Sequence, residues 1–368
     1  MEAHKNSKDR SGITTGSVAT AASLAALLTI EDNNPEYVEI QTPTTKVKVK
    51  IEKTQKIDTK TAKATVEKPN YDDPDITRGI EIISQVTLND EDGIVTIKGG
   101  KGVGLITKPG LQIPVGEHAI NPVPRDMIKT NLKRYLPKGC GATVTIIIPE
   151  GEKLAPKTMN PRLGIVGGIS VLGTTGIARP MSLKAYKDSL RVQLDVAVSN
   201  GYHDLLFVPG NIGTRIAREK LIIDPDQIIE MSNYVGYMLD EAEKLKEIKS
   251  ITLFGHAGKL TKIAAGIFNT KQSEADARRE IMTCYAALCG ANQSTIHEIF
   301  ECITTEDVIK ILDKNNLTDK VFEMIADEIV NLCELKYDMK FYVTIVKMNG
   351  DILTPKHAHL IPFTWKEN

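Results

Sequence analysis

The run Leu253-Phe254-Gly255-His256-Ala257-Gly258-Lys259-Leu260 sets an imidazole and an amine on a glycine-rich turn, between an apolar stretch and a helical pattern. Such a turn aims backbone N–H groups and a helix N-terminus at one point, which suits an anionic or polar ligand. His256 there can remove a proton or orient a substrate, or it can be a buried structural histidine. Two further segments read as the same plan. Residues 169–172 run into Gly173-Thr174-Thr175-Gly176, and residues 205–208 run into Pro209-Gly210-Asn211-Ile212-Gly213. Strands alternating with helices favour a parallel sheet, and ligands bind outside the carboxyl ends of its strands, so the three turns are expected to share a pocket. None is a strict GxGxxG or GxxxxGK[ST] motif, so the pattern alone leaves dinucleotide, triphosphate or a plain tight turn open.

Other residues carry charge into less regular segments. Gly12 to Ser17 is a run of capping-type residues ahead of a helix predicted over 17–28; Thr14, Thr15 and Ser17 there can cap the helix or bind a carboxylate. Residues 99–125 are too rich in Gly and Pro for a regular element, and a loop that long inside a compact domain is usually functional. Lys101, Lys108 and Arg125 lie within it, as does His118. Asp72-Asp73-Pro74-Asp75 resembles a metal cluster but lacks the later glutamate of a calcium loop, and reads as a solvated turn. His357 and His359 flank Ala358 like a metal pair, with no third ligand in view.

The elements that hold these residues follow from periodicity. Residues 37–66 read as strands with Lys46, Lys48 and Lys50 on the solvent face, and 86–88 and 94–97 as strands flanking the Asp90–Gly93 turn. A helix over 126–135 and a strand over 142–148 precede a Pro/Gly/Glu-rich hinge at 149–156, giving domains 1–156 and 157–368. Helices are predicted over 182–200, 226–246, 273–289, 294–301, 305–314 and 318–335, and Asn349-Gly350 marks a C-terminal β-hairpin.

With 368 residues, 46 Lys+Arg and 47 Asp+Glu, the chain has the size of about two domains and no net field to draw nucleic acid or anionic membrane. Its first ten residues lack the apolar core of a secretory signal, and the apolar run at 18–28 is too short for a membrane span. A cytoplasmic protein is expected. Five scattered cysteines without a CxxC indicate neither a disulfide framework nor a zinc site.

Blocks along nearly the whole chain resemble the CbiD family, the cobalt-precorrin-5B C1-methyltransferases: Gly12-Ile13-Thr14-Thr15-Gly16, Lys108-Pro109-Gly110-Leu111, Ala119 to Arg125, Asn160 to Ser170, Gly173 to Ile177, Val208-Pro209-Gly210-Asn211 and Gly255 to Leu260. The resemblance implies an α+β N-terminal domain followed by an α/β domain with a short parallel sheet. It further implies methylation of C1 of cobalt-precorrin-5B to cobalt-precorrin-6A in anaerobic cobalamin synthesis, with S-adenosylmethionine as donor and cobalt only as part of the substrate. Two positions depart from the family: Val18 stands where a cysteine is usual, and Lys271-Gln272 where a His-Ser pair is typical, while Asp276 keeps register with the family's downstream acid.

On that reading His256 and Asp276 are the candidate catalytic residues. Gly173, Thr174, Thr175, Gly176, Pro209, Gly210, Asn211, Gly213, Gly255, Gly258 and Lys259 hold the donor, and Thr14, Thr15, Ser17, Lys101, Lys108, Asn121 and Arg125 meet the acid arms of the tetrapyrrole. No protein metal site is required, and a neighbouring enzyme could hand over the substrate. Two other classes stay open: a phosphate-binding small-molecule kinase, and a non-catalytic tetrapyrrole carrier that would need no donor pocket.

Overall fold

A computed structural model describes residues 12–70, 75–178 and 183–367, so the first ten residues, Asp72 and Asp73 lie outside the described part. The chain forms two compact units that divide between Ala185 and Tyr186.

The first unit is built around helix α1 (Thr15–Ile30), following the two-residue strand β1 (Gly12–Ile13). Nearly every α1 residue is buried, so this is a central helix without a polar face. Its Ala-rich composition allows close approach. Its polar side chains are satisfied internally: the hydroxyls of Thr20, Ser23 and Thr29 donate to the carbonyls of Gly16, Ala19 and Ala25 at 2.8, 2.7 and 2.8 Å. Burying Leu24, Leu27 and Ile30 contributes about 1.5–3 kcal/mol each.

Around α1 run β2 (Tyr37–Gln41), β3 (Lys46–Lys50), β4 (Lys53–Lys56), β5 (Thr61–Glu67), β6 (Glu81–Asn89), β7 (Val95–Gly99), helix α2 (Pro122–Lys133) and β8 (Gly141–Ile147). Strands β2 and β3 form a hairpin whose Lys46, Lys48 and Lys50 face solvent, as expected. The main sheet has the order β4-β5-β6-β8-β7. Strands β6 and β7 flank the Asp90–Gly93 turn as expected, but they are not neighbours: β8 inserts between them, antiparallel to β6 and parallel to β7. The acidic turn also differs from expectation. Asp75 is ion-paired to buried Lys68, whose amine also donates to Thr77 Oγ1 at 2.6 Å. Burial pushes the Asp75 carboxyl up, but the hydrogen bonds from Lys68 and Thr77 outweigh it and hold the group at about 2.

The Gly/Pro-rich stretch from 99 to 125 is packed. Gly102–Val103 pairs in parallel with Gly168–Ile169, and Leu105–Ile106 pairs antiparallel with Ile165–Val166. Glycine is required where these backbones cross, since a Cβ on Gly151 or Gly168 would lie 2.0 or 2.3 Å from the Gly102 carbonyl oxygen. The 149–156 segment, expected as a hinge, lies within the first unit and folds as a short helix, Gly151–Leu154, running into a 3₁₀ turn.

Strand β9 (Ile177–Ala178) belongs to the first unit; helix α3 (Leu183–Ser199), in which the division falls, precedes β10 (Asp204–Val208). Then come α4 (Asn211–Lys220), β11 (Ile228–Glu230), α5 (Val235–Glu243), β12 (Ser250–His256), α6 (Arg278–Leu288), α7 (Gln293–Glu301), α8 (Thr305–Lys314), α9 (Thr318–Lys336) and β13 (Lys340–Val346). The four strands form the expected short parallel sheet, in the order β11-β10-β12-β13.

Strand alternation divides the apolar residues between two cores. Leu205, Phe207, Leu253 and Val343 join the core with α5 and α9, while Leu206, Val208, Phe254 and Val346 pack with Ile216 and Ala217 of α4. The single helix expected over 226–246 is instead β11 followed by α5, with a break at Ser232, which takes a positive φ of 53°. The β-branched pair Ile228-Ile229 suits a buried edge strand. The Asn349-Gly350 return is present: Leu353 N donates to Ile345 O at 2.8 Å, although β13 itself pairs in parallel with β12.

Candidate active site

Two of the glycine turns lie at the carboxyl ends of adjacent parallel strands, β10 and β12. Gly210 has φ +142° and open space where a Cβ would sit, so a ligand can approach the backbone ahead of α4. Gly213 lets α4 lie close on the sheet, for a Cβ there would meet Phe254 O and Val208 Cβ at 3.1 Å each. Gly255 serves the join between the two turns, its Cβ position being 2.7 Å from Pro209 Cδ. Lys259 ties the same turns by donating from Nζ to Pro209 O at 2.8 Å, and burial pushes its amine below the usual lysine range. Asn211 opens α4, whose first-turn N–H groups have no acceptor within the helix.

His256 ends β12 and caps the short helix Ala257–Leu260: its Nδ1 accepts from Gly258 N at 3.2 Å. That acceptance puts the ring proton on Nε2, which lies 2.8 Å from Glu306 Oε1. The same carboxylate oxygen accepts from Met348 N at 3.3 Å, so β12, α8 and the segment after β13 meet at one carboxylate. Both imidazole nitrogens are engaged, which suits orientation over proton removal.

Asp276 lines a cavity of about 300 Å³ with Gln272, Arg278, Arg279, Thr304 and Thr305, and a Cβ on Gly258 would lie 3.3 Å from the Thr305 hydroxyl. Arg278 donates to both oxygens of Asp276, at 2.6 and 2.9 Å, and Gln272 donates at 2.9 Å. Arg278 foremost holds the carboxyl below its usual range, so it stands as an anion already bonded and poorly suited to give or take a proton. Buried Lys262 pins the same loop through Thr270 O and Ala275 O, at 3.2 and 2.6 Å.

In the first unit the structure brings two predicted groups together. Thr15 Oγ1 accepts from Leu172 N at 2.8 Å, Ser17 Oγ donates to Gly176 O at 2.6 Å, and Thr44 Oγ1 donates to Thr175 O at 3.0 Å. A Cβ on Gly173 would lie 2.3 Å from Thr14 Oγ1. These bonds correct two expectations. The turn carrying Gly173, Thr174, Thr175 and Gly176 leads into β9, which pairs with β1, and into no helix. Thr15 and Ser17 are buried, with their hydroxyls consumed by the protein. The capping alternative describes Thr14, which accepts from Ser17 N at 3.2 Å.

Of the basic residues, Arg125 clamps its own loop: Nε donates to Ile120 O at 2.8 Å, and Nη2 to Glu117 and the His118 carbonyl at 3.0 and 3.3 Å. Lys108 packs its stem over Gly164, and Lys101 is exposed. Asn121 stands at the N-cap of α2 without a side-chain capping bond. His357 is bonded to Glu323 at 2.5 Å, and among the described residues no cluster of three or more His, Cys, Asp or Glu able to hold a metal occurs. No described helix is long and apolar enough to cross a membrane.

These features define an α/β unit with open glycine turns at the carboxyl edge of a parallel sheet, preceded by a mixed α+β unit. Residues 2–180 match the profile of the family CbiD, and residues 269–357 that of the CbiD C-terminal domain. The protein named cobalt-precorrin-5B C(1)-methyltransferase from Methanosphaera stadtmanae is 69% identical over 100% of this chain and 97% of its own. Its namesake from Methanobrevibacter smithii is 51% identical, over 93% of this chain and 96% of its own. A crystal structure of the cobalamin biosynthesis protein CbiD from Archaeoglobus fulgidus is 28% identical, covers 73% of this chain and 84% of its own, and superposes with a TM-score of 0.37. The chain belongs to the CbiD family.

Proposed function

We propose that this protein methylates C1 of cobalt-precorrin-5B, giving cobalt-precorrin-6A on the anaerobic route to cobalamin. The observation that carries the reading is the 69% identity, across the whole chain, to a relative that bears this activity as its name. S-adenosylmethionine supplies a methyl already activated on a sulfonium, which C1 of the macrocycle takes in an in-line displacement as the acceptor loses a proton.

The protein's task in such a reaction is mainly alignment of two bound molecules. Pro209, Gly210, Asn211, Gly213, Gly255, Gly258 and Lys259 fit the donor: Gly210 leaves the backbone approachable, and Lys259 holds the two turns in one register. In the first unit Lys101, Lys108 and Asn121 are the tetrapyrrole contacts, with Arg125 fixing the loop that carries them. His256 orients the donor turn through Gly258 and Glu306. Cobalt arrives within the substrate.

The test is calorimetric titration with S-adenosylhomocysteine, followed by mass analysis after incubation with donor and cobalt-precorrin-5B. Binding and a gain of one methyl mass are expected. Binding without the gain would refute the acceptor; absence of binding, with the tetrapyrrole also present, would refute the donor and favour a carrier.

A further inference from the structure

The cavity that Asp276 lines is built onto the turn that follows β12. The short helix Ala257–Leu260 continues into a 3₁₀ turn, Thr261–Ala265, and there buried Lys262 pins the loop that carries Gln272 and Asp276, through Thr270 O and Ala275 O at 3.2 and 2.6 Å. Thr305, the first residue of α8, lines the same cavity, and its hydroxyl stands 3.3 Å from where a Cβ on Gly258 would lie. The Gly258 turn and the cavity are thus held in one frame, by Lys262 through the loop and by Thr305 through α8.

The charged group with bonds to spare in this cavity is Arg278. Asp276 accepts from its Nε and from one Nη2 hydrogen, which uses one side of the guanidinium. Nη1 and the second Nη2 hydrogen make no bond among the described residues, and that free edge is a fork of the kind that grips a carboxylate through two parallel bonds. Thr305, only 6% exposed, buries a hydroxyl that also has no partner, a state that native structures seldom keep. Ile303, at the cavity's mouth, is 92% exposed and offers an apolar cover beside the charges. A cavity of about 300 Å³ is at the lower end for a whole small-molecule site, so it suits one arm of a ligand whose body lies outside it.

We propose that this cavity is the subsite for the α-carboxylate of the methyl donor: the free edge of the Arg278 guanidinium grips it, and Asp276 is the positioning residue that holds that edge toward the cavity. Ile303 covers the methylenes of the donor's amino-acid part. Acid arms of the tetrapyrrole carry the same carboxylate chemistry, but the frame shared with the Gly258 turn favours the donor. The proposal rests on the methyltransferase reading above, and it gives Asp276 a part in binding in place of proton transfer.

The test uses the full chain and two probes, S-adenosylhomocysteine and its decarboxylated analogue, which keeps the amine; both are titrated calorimetrically into wild type, Arg278→Gln and Asp276→Asn. Wild type should bind the analogue roughly tenfold or more weaker than the parent. Arg278→Gln should bind the parent about that much weaker and the analogue as wild type does, so that it discriminates little between the two, and Asp276→Asn should fall between. Equal loss of both affinities in Arg278→Gln would make the residue structural and overturn the proposal. Equal binding of parent and analogue by wild type would overturn it and leave the rest of the donor site standing; a raised KM for the tetrapyrrole in Arg278→Gln, at unchanged donor affinity, would then assign the subsite to an acid arm of the acceptor. Should the variants fail to fold, the wild-type comparison decides. No binding of the parent by wild type would remove the donor reading and this proposal together.

Discussion

His256 Nε2 lies 2.8 Å from Glu306 Oε1, while His256 Nδ1 accepts the Gly258 N–H, so one imidazole connects a strand end, a turn and the first turn of α8. Removing the carboxylate leaves the imidazole N–H without its charged partner and lets the Gly255–Lys259 turn drift. Glu306→Ala is expected to weaken S-adenosylhomocysteine binding about tenfold or more, with turnover at limiting donor falling in step and Glu306→Gln restoring most of the loss. Calorimetric titration checks this, and wild-type donor affinity in the alanine variant would reduce the contact to packing. His256→Ala should likewise weaken donor binding, since the same turn loses its cap.

Gly255 permits the two turns to touch. A valine there would drive its Cβ to 2.7 Å from Pro209 Cδ, which must move the turn ahead of α4. Gly255→Val should abolish binding of S-adenosylhomocysteine and lower the melting temperature by several degrees, an overpacking cost of about 1–3 kcal/mol. Retained affinity would take this turn out of the site.

Ser17→Ala tests the altered reading of the α1 start. Its hydroxyl donates to Gly176 O in a buried setting, so losing it strands a carbonyl at a cost of about 1–3 kcal/mol. Urea denaturation should show that loss, and KM for the tetrapyrrole should be unchanged; a rise in KM with full stability would return Ser17 to the substrate site.

The Lys68–Asp75 pair predicts an acid-sensitive first unit. The carboxyl titrates at about 2 in the fold, against about 3.9 in an unfolded chain. A depressed carboxyl contributes stability that is present above the unfolded value and lost as pH falls toward the folded one, here about 2 kcal/mol between pH 5 and 2. Urea melts across that range should show this slope, diminished in Asp75→Asn. An identical slope in the variant would assign the acid sensitivity to other groups.

How much of this could be read from residues alone depended on the range of the interaction. Helix α8 is where periodicity put it, because Val308, Ile309 and Leu312 mark one buried stripe and Thr304 caps it. The parallel sheet followed from apolar runs ending in glycine turns. The 173–176 turn misled, since glycines feeding a strand look like glycines feeding a helix until the pairing of β9 with β1 is known. Residues 228–230 were absorbed into a helical pattern because a three-residue strand carries too little periodicity to register. Glu306 carried no signal, being 50 positions from His256, and Asp75 looked solvated because its partner, Lys68, is a residue type seldom buried.

The stitch between Thr15 and Leu172 spans 157 positions, and it has a consequence for how the protein is made. Helix α1 leaves the ribosome early, but β6, β8 and the closing turn that cover it come as much as 150 residues later. At ordinary elongation rates that interval is roughly 8–30 s. During it an Ala- and Leu-rich helix with no polar face waits without its cover, so slowing translation within residues 31–172 should increase aggregation of the newborn first unit.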